Sequence, residues 1–124
     1  MDLVPLRPAG RQLIERYGPT GFRVGGVIYH GPVLVFPDRT LAWTATCAAA
    51  VTWESLMPVV EHGAVRILLI GLGRGVEAPA KALRAELRRA GIAVEAMDTG
   101  AACRTYNVLL AEDRPVAAAL IPPA

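Results

Sequence analysis

Two short segments of the chain carry residue types at spacings that chemistry uses. The first, Ile70-Gly71-Leu72-Gly73-Arg74-Gly75-Val76, follows an apolar run and precedes a helical pattern. In that setting glycines let a loop wrap a dinucleotide pyrophosphate, because backbone amides approach the anion where no Cβ intervenes. The fingerprint G-x-G-x-x-G needs glycine at position 76, where valine stands, and the helix begins only near Pro79. A phosphate loop of the G-x-x-x-x-G-K-[ST] kind is also missing. Gly71, Gly73 and Arg74 therefore read either as a tight strand-to-helix loop or as a loop for a small anion.

The second segment is Asp98-Thr99-Gly100-Ala101. The same letters form the tetrad of dimeric aspartic proteases, where each chain supplies one carboxylate and the pair shares a proton. Here the tetrad ends a strand and leads into a helix, not into all-β surroundings. A cap is the expected role for Asp98 or Thr99, whose side-chain oxygen accepts from free N–H groups at the helix start. A carboxylate is also favoured there by the helix dipole. The helix that follows, Thr99–Ala111, holds a single charge, Arg104. It is expected to be covered on most sides, by the sheet and by something else. Its polar groups, Cys103, Arg104, Thr105, Tyr106 and Asn107, then need partners. An internal hydrogen-bond network, a partner or self-association surface, and a small-molecule cleft all satisfy that need. Cys103, in the first turn beside Arg104, is a candidate for a lowered thiol pKa.

Several other chemistries find no support. Ser55 is the only serine and has no G-x-S-x-G setting. Two histidines and two cysteines at unrelated spacings give no metal site, and no cofactor is expected. Basic residues number thirteen against eleven acidic ones, for a net charge of +2, and they are spread along the chain. The few aromatics form no RNA-binding arrangement, so no nucleic-acid partner is expected. Cys47 and Cys103 are far apart, and the opening Met-Asp-Leu-Val-Pro-Leu-Arg-Pro has no apolar signal core. Two free thiols in a reducing cytoplasm are the expectation.

The elements that would position these residues follow from pattern. A chain of 124 residues suggests one domain, and 53% apolar content with mean hydropathy +0.38 excludes disorder. The main uncharged apolar runs, Ile67–Gly73 and Pro115–Ala124, are far shorter than the roughly 20 residues that span a bilayer, so no membrane insertion is expected. Residues 1–12 read as an irregular lead-in and residues 13–124 as a single α/β domain. Leu13–Tyr17 suggests one helical turn, stopped by Gly18-Pro19. Phe22–His30 reads as a strand with a bulge at Gly25-Gly26, followed by strands at Val33–Phe36 and Leu41–Thr44, a β-meander. A helix capped by Thr52 is expected over Trp53–Glu61, kinked or shortened by Pro58. A buried strand at Val65–Ile70 comes next. Then a helix runs from Pro79 to Gly91 with the apolar stripe Ala80, Leu83, Leu87 and Ala90, leaving Lys81, Arg84, Arg88 and Arg89 off it. Ile92–Met97 is a strand, the charge-poor helix reaches about Glu112, and Val116–Ile121 is the last strand. This order, β-β-β and then α-β-α-β-α-β, implies right-handed crossovers and a parallel or mixed sheet.

The tail from Met97 to Leu120, Met-Asp-Thr-Gly-Ala-Ala-Cys-Arg-Thr-Tyr-Asn-Val-Leu-Leu-Ala-Glu-Asp-Arg-Pro-Val-Ala-Ala-Ala-Leu, resembles the signature of one uncharacterised domain family. That family includes the mitochondrial respiratory complex I assembly factor 3 and many small bacterial and archaeal proteins. Tyr17-Gly-Pro-Thr-Gly-Phe-Arg-Val24, Gly31-Pro-Val-Leu-Val-Phe-Pro37 and Leu69-Ile-Gly-Leu-Gly73 resemble its other motifs, so the likeness runs from about residue 14 to 121. The resemblance implies a compact three-layer α/β sandwich with a mixed sheet. It places the family's marked residues on Asp98, Thr99, Cys103, Arg104, Tyr106 and Asn107. With the charge-poor helix and the high apolar fraction, the resemblance points to a non-enzymatic interaction or assembly-type role, through a protein partner or self-association at the Thr99–Ala111 helix and nearby surfaces, with contact to membrane-protein assembly. A mitochondrial presequence is not expected, since strand-like sequence starts by about residue 22. The alternative is a small-molecule or anion-binding domain, possibly an enzyme, with a crevice between the Gly71–Gly75 loop and the Asp98–Arg104 segment.

Overall fold

A computed structural model describes residues 11–74 and 79–124. Strands β1 (Ile14–Gly18), β2 (Gly21–Val24) and β3 (Val27–His30) form a small antiparallel sheet in that order. Strands β4 (Val33–Val35), β5 (Thr40–Ala42), β6 (Ile67–Leu72), β7 (Ala93–Met97) and β8 (Val116–Ile121) form the main sheet in the order β5-β4-β8-β6-β7. Three helices are α1 (Met57–His62), α2 (Lys81–Arg89) and α3 (Thr99–Ala111). The main sheet is mixed: β6 runs parallel to β7 and β8, whereas β4 runs antiparallel to β5 and β8.

The apolar excess of the composition has its physical place here. All six residues of β8 and five of the six in β6 are buried, as strands covered on both faces must be. On one face Leu34, Leu68, Ile70, Ala117 and Ala119 pack with Leu56 and Val59 at α1 and Leu83 and Leu87 of α2. On the other, Val33, Val35, Leu69, Ala118 and Leu120 pack with Ala102, Cys103, Tyr106 and Leu110 of α3 and with Ile14, Tyr17, Phe22 and Val24 of the small sheet. The fold is therefore a three-layer α/β sandwich. α1 and α2 form one outer layer, and α3 with the small sheet forms the other.

Local patterns gave way to long-range pairing at several points. Leu13–Tyr17 is not a helical turn, because Ile14–Gly18 is β1, with Tyr17 opposite Phe22 and both rings buried. Gly25 and Gly26 form a turn, not a bulge: both have positive φ (+55° and +83°), and Val24 faces Val27 across them. Such a two-residue turn suits the strand twist and makes β2–β3 a hairpin. The helix expected over Trp53–Glu61 divides into a 3₁₀ turn at Glu54–Leu56 and α1, with Pro58 in the first turn of α1, where a missing N–H costs little. The Thr52 hydroxyl accepts from the Ser55 amide at 3.1 Å. In α2 only Leu83 and Leu87 are buried, while Ala80 and Ala90 are exposed. Residues 1–10 of the expected lead-in, and Gly75 and Val76 of the glycine loop, lie outside the described residues. Among the described residues no helix is long and apolar enough to cross a membrane.

Candidate functional site

Because β6 lies between the parallel strands β7 and β8, their carboxyl ends emerge along one edge of the sheet. The Gly71–Arg74 loop and the Asp98–Arg104 segment therefore meet there. Asp98 is the N-cap of α3, and its carboxylate accepts from the Ala101 amide at 2.8 Å. Thr99 is fully buried and joins three elements. Its hydroxyl accepts from the Gly73 amide at 2.8 Å and donates to the Ile121 carbonyl, and its own amide donates to the Gly73 carbonyl at 2.9 Å. The ends of β6 and β8 are thus tied to the first turn of α3. Gly71 lets that turn sit on the sheet, since a Cβ here would lie 3.0 Å from the Thr99 Cα and 3.2 Å from the Ala102 Cβ.

An open cleft of about 460 Å³ lies at this edge. Tyr17, Gly18 and Pro19 form one wall, Gly73 and Arg74 another, and Asp98, Gly100 and Arg104 a third. Arg104 is exposed and donates to the Tyr17 hydroxyl at 3.1 Å. Gly100 makes room for that tyrosine, because a Cβ would lie 2.7 Å from its hydroxyl oxygen. The cleft presents two guanidinium groups and a phenol beside one carboxylate, and that carboxylate already caps α3. This arrangement can hold a small anion by charge-assisted hydrogen bonds.

The remaining candidates point elsewhere. Asn107 faces the small sheet, where its side-chain carbonyl accepts from the Ile14 amide at 3.0 Å and its NH₂ donates to the Ile14 carbonyl at 2.8 Å. The side chain thereby acts as a strand partner for the backbone of β1. Cys103 is buried, and desolvation pushes its thiol up to about 12, outweighing the favourable field of Arg104. The expected lowering of this thiol is therefore reversed, because a thiolate there would lose its water. Tyr106 is fully buried, its hydroxyl has no hydrogen-bond partner among the described residues, and burial raises its pKa. Gly71, Thr99, Cys103, Tyr106 and Asn107 are thus packing and joining residues, whereas Gly73, Arg74, Asp98 and Arg104 line the cleft.

The helix itself is covered more fully from within than its charge count suggested. The main sheet beneath α3 and the small sheet beside it bury Thr99, Gly100, Ala102, Cys103, Tyr106 and Leu110. Only Arg104, Val108 and Ala111 are exposed along it. Sequence reasoning missed Tyr17 as a cleft wall, because the segment holding it read as a helical turn. The motif Tyr17-Gly18-Pro19 was the available signal.

A mixed five-stranded sheet, with α3 and a three-stranded sheet on one face, is the architecture of Mth938-like domains. One such domain from Bordetella pertussis, solved in solution, superimposes with a TM-score of 0.83 at 27% identity, covering 98% of this chain and 92% of that one. The chain belongs to the family described as protein of unknown function DUF498/DUF598, matched over residues 14–121. It is 37% identical to an uncharacterised protein of Rhodobacter capsulatus, over 97% of this chain and 94% of that protein. It is 38% identical to the NADH dehydrogenase [ubiquinone] 1 alpha subcomplex assembly factor 3 of Danio rerio, over 90% of this chain. The match spans 64% of the zebrafish protein's length.

Two neighbours on α3 should respond oppositely to truncation. Asn107→Ala leaves the Ile14 amide and carbonyl without their partners and is expected to cost about 1–3 kcal/mol in chemical denaturation. Tyr106→Phe removes a hydroxyl that has no hydrogen-bond partner among the described residues and should leave stability unchanged or raised. A neutral Asn107→Ala, or a Tyr106→Phe as damaging as Asn107→Ala, would contradict these assignments.

Proposed function

We propose that this protein is an assembly-type interaction module that works in the cytoplasm by binding a protein partner or a second copy of itself, not by catalysis. The observation that carries the reading is its kinship, over nine-tenths of its length, with a protein named as an assembly factor of NADH dehydrogenase. The surface adds support. The exposed large hydrophobic residues among those described are Val27 and Ile28 at the tip of the β2–β3 hairpin and Val108 on α3, all more than half exposed. The buried, protonated thiol of Cys103 suits a packing role better than a nucleophile. The client is of the membrane-complex class by analogy with the relative, with contact made from outside the bilayer.

Affinity capture from native soluble and membrane lysates, with size-exclusion light scattering of the purified chain, tests this. A stoichiometric protein partner or a dimer is expected. A strict monomer that captures nothing from either lysate would sink the proposal.

One observation favours a second reading, a small-anion site: Arg74 and Arg104 converge on the cleft beyond the strand ends, where open α/β sheets bind ligands. Under this reading phosphate, nucleotides or acidic metabolites raise the melting temperature of the wild type. Arg104→Ala should abolish that rise while leaving the unliganded melting temperature close to wild type, as for other exposed side chains. A flat wild-type response across the ligand set removes the reading.

A further inference from the structure

Helix α2 carries a feature that neither the cleft nor α3 explains. Its two leucines, Leu83 and Leu87, are the residues it buries against the sheet, and their four-residue spacing fixes the rotation of the helix. Lys81, Ala82, Ala85, Arg88 and Arg89 are exposed as a result, and Arg84 is half-buried. Lys81, Arg84 and Arg88 extend about 10 Å along the axis, with Arg89 beside them. Together with Ala85 these four cations line an open groove of about 560 Å³. Arg84 is steadied by donating to the Val94 carbonyl at 3.1 Å. Among the described residues no carboxylate pairs with any of the four. Ion pairs among the described residues lie elsewhere, for example at Arg11–Asp113, Arg23–Glu15, Arg39–Asp38, His62–Asp38 and Arg114–Glu112. Like charges on neighbouring turns repel one another, so this face gains from an opposing anionic surface.

The rest of the face narrows the kind of surface. None of the exposed large hydrophobic residues lies on α2, so the face has no wedge to enter a bilayer and no ring on which a base can stack. Ala85 instead leaves a small-residue floor in the groove over which a second backbone can approach closely. The cations run beside this floor at the i, i+3 and i+7 spacing of one helix face, along which a neighbouring helix can lie. Three of the four are arginines, whose planar forks match carboxylates in pairs. We propose that α2 is a docking face for an acidic helix of a partner protein, with glutamates or aspartates flanking a seam of small side chains. The inference rests on the protein-interaction reading and gives it a surface and a partner chemistry.

The probe is a fluorescently labelled synthetic helical peptide with glutamates at i, i+4 and i+7 around an alanine–leucine seam, followed by anisotropy and by amide chemical-shift mapping on the full chain. Binding at low salt is expected, with shifts confined to α2. The glutamine version of the peptide should bind at least about tenfold more weakly, and so should the Arg88→Glu, Arg89→Glu double variant toward the acidic peptide. Unchanged affinity in the double variant, or shifts that map to the Arg74–Arg104 cleft, overturns the proposal. Adsorption to phosphatidylserine vesicles or duplex DNA without binding of the peptide overturns it as well. Repeating the lysate capture with the double variant separates the two levels. If the wild type captures a partner and the variant captures it equally well, the α2 face is wrong and the interaction reading stands. If the wild type captures nothing and is a strict monomer, the interaction reading itself fails.

Discussion

The seating of α3 between two sheets is the constraint on which the rest of the molecule depends. A helix packed on one sheet needs one apolar stripe, but α3 buries Ala102, Tyr106 and Leu110 in a core shared by both sheets and binds the backbone of β1 through Asn107. Close approach at its first turn requires Gly71 on β6, Gly100 against Tyr17 and the alanines of β8. Two polar side chains then fix what apolar contact alone leaves free to slide. Thr99 ties the ends of β6 and β8 to the helix start, and Asn107 ties the backbone of β1 to its middle. Directional bonds in a dry interior specify register because an unmade bond there is costly.

This architecture separates the signature into residues that build and residues that face outward. Thr99, Cys103, Tyr106 and Asn107 are interior, and their chemistry is spent on packing or on hydrogen bonds to the main chain. Asp98, Arg104 and Arg74 emerge at the sheet edge around an open cleft, together with Tyr17 from a strand far away in sequence. The same fold leaves the hairpin tip with Val27 and Ile28, the outer flank of α3 with Val108, and the basic face of α2 available on the surface.

How much of this was legible depended on where each residue's partner lies. Val116–Ile121 and the start of α3 were readable because a continuous apolar run and an aspartate cap are local signals. The α/β order and a parallel or mixed sheet followed from alternating periods; the meeting of the two glycine-bearing segments depended on β6 and β7 being adjacent, which periodicity does not give. β1 was not readable, because the pairing that makes it a strand sets Tyr17 against Phe22 across a turn, and its helical spacing competed with that pairing. The lone charge on Thr99–Ala111 correctly signalled burial. It could not say that the cover is this chain's own small sheet, and that sheet removes most of the need for an external partner on that helix. Asn107 announced that it needed a bond partner, but the Ile14 backbone lies 93 residues away. Tyr106 announced the same need, and its hydroxyl is unmatched among the described residues.

If α3 is the clamp between the sheets, the Ile14 and Gly73 amides, which donate to the Asn107 and Thr99 side chains, must open together with that helix. Native-state hydrogen exchange read residue by residue tests this most directly. Both amides are expected to exchange with the opening free energy of the α3 interior around Tyr106, far more slowly than amides of the exposed hairpin turn at Gly26. Exchange of Ile14 and Gly73 at the rate of that turn, while α3 stays protected, would contradict it.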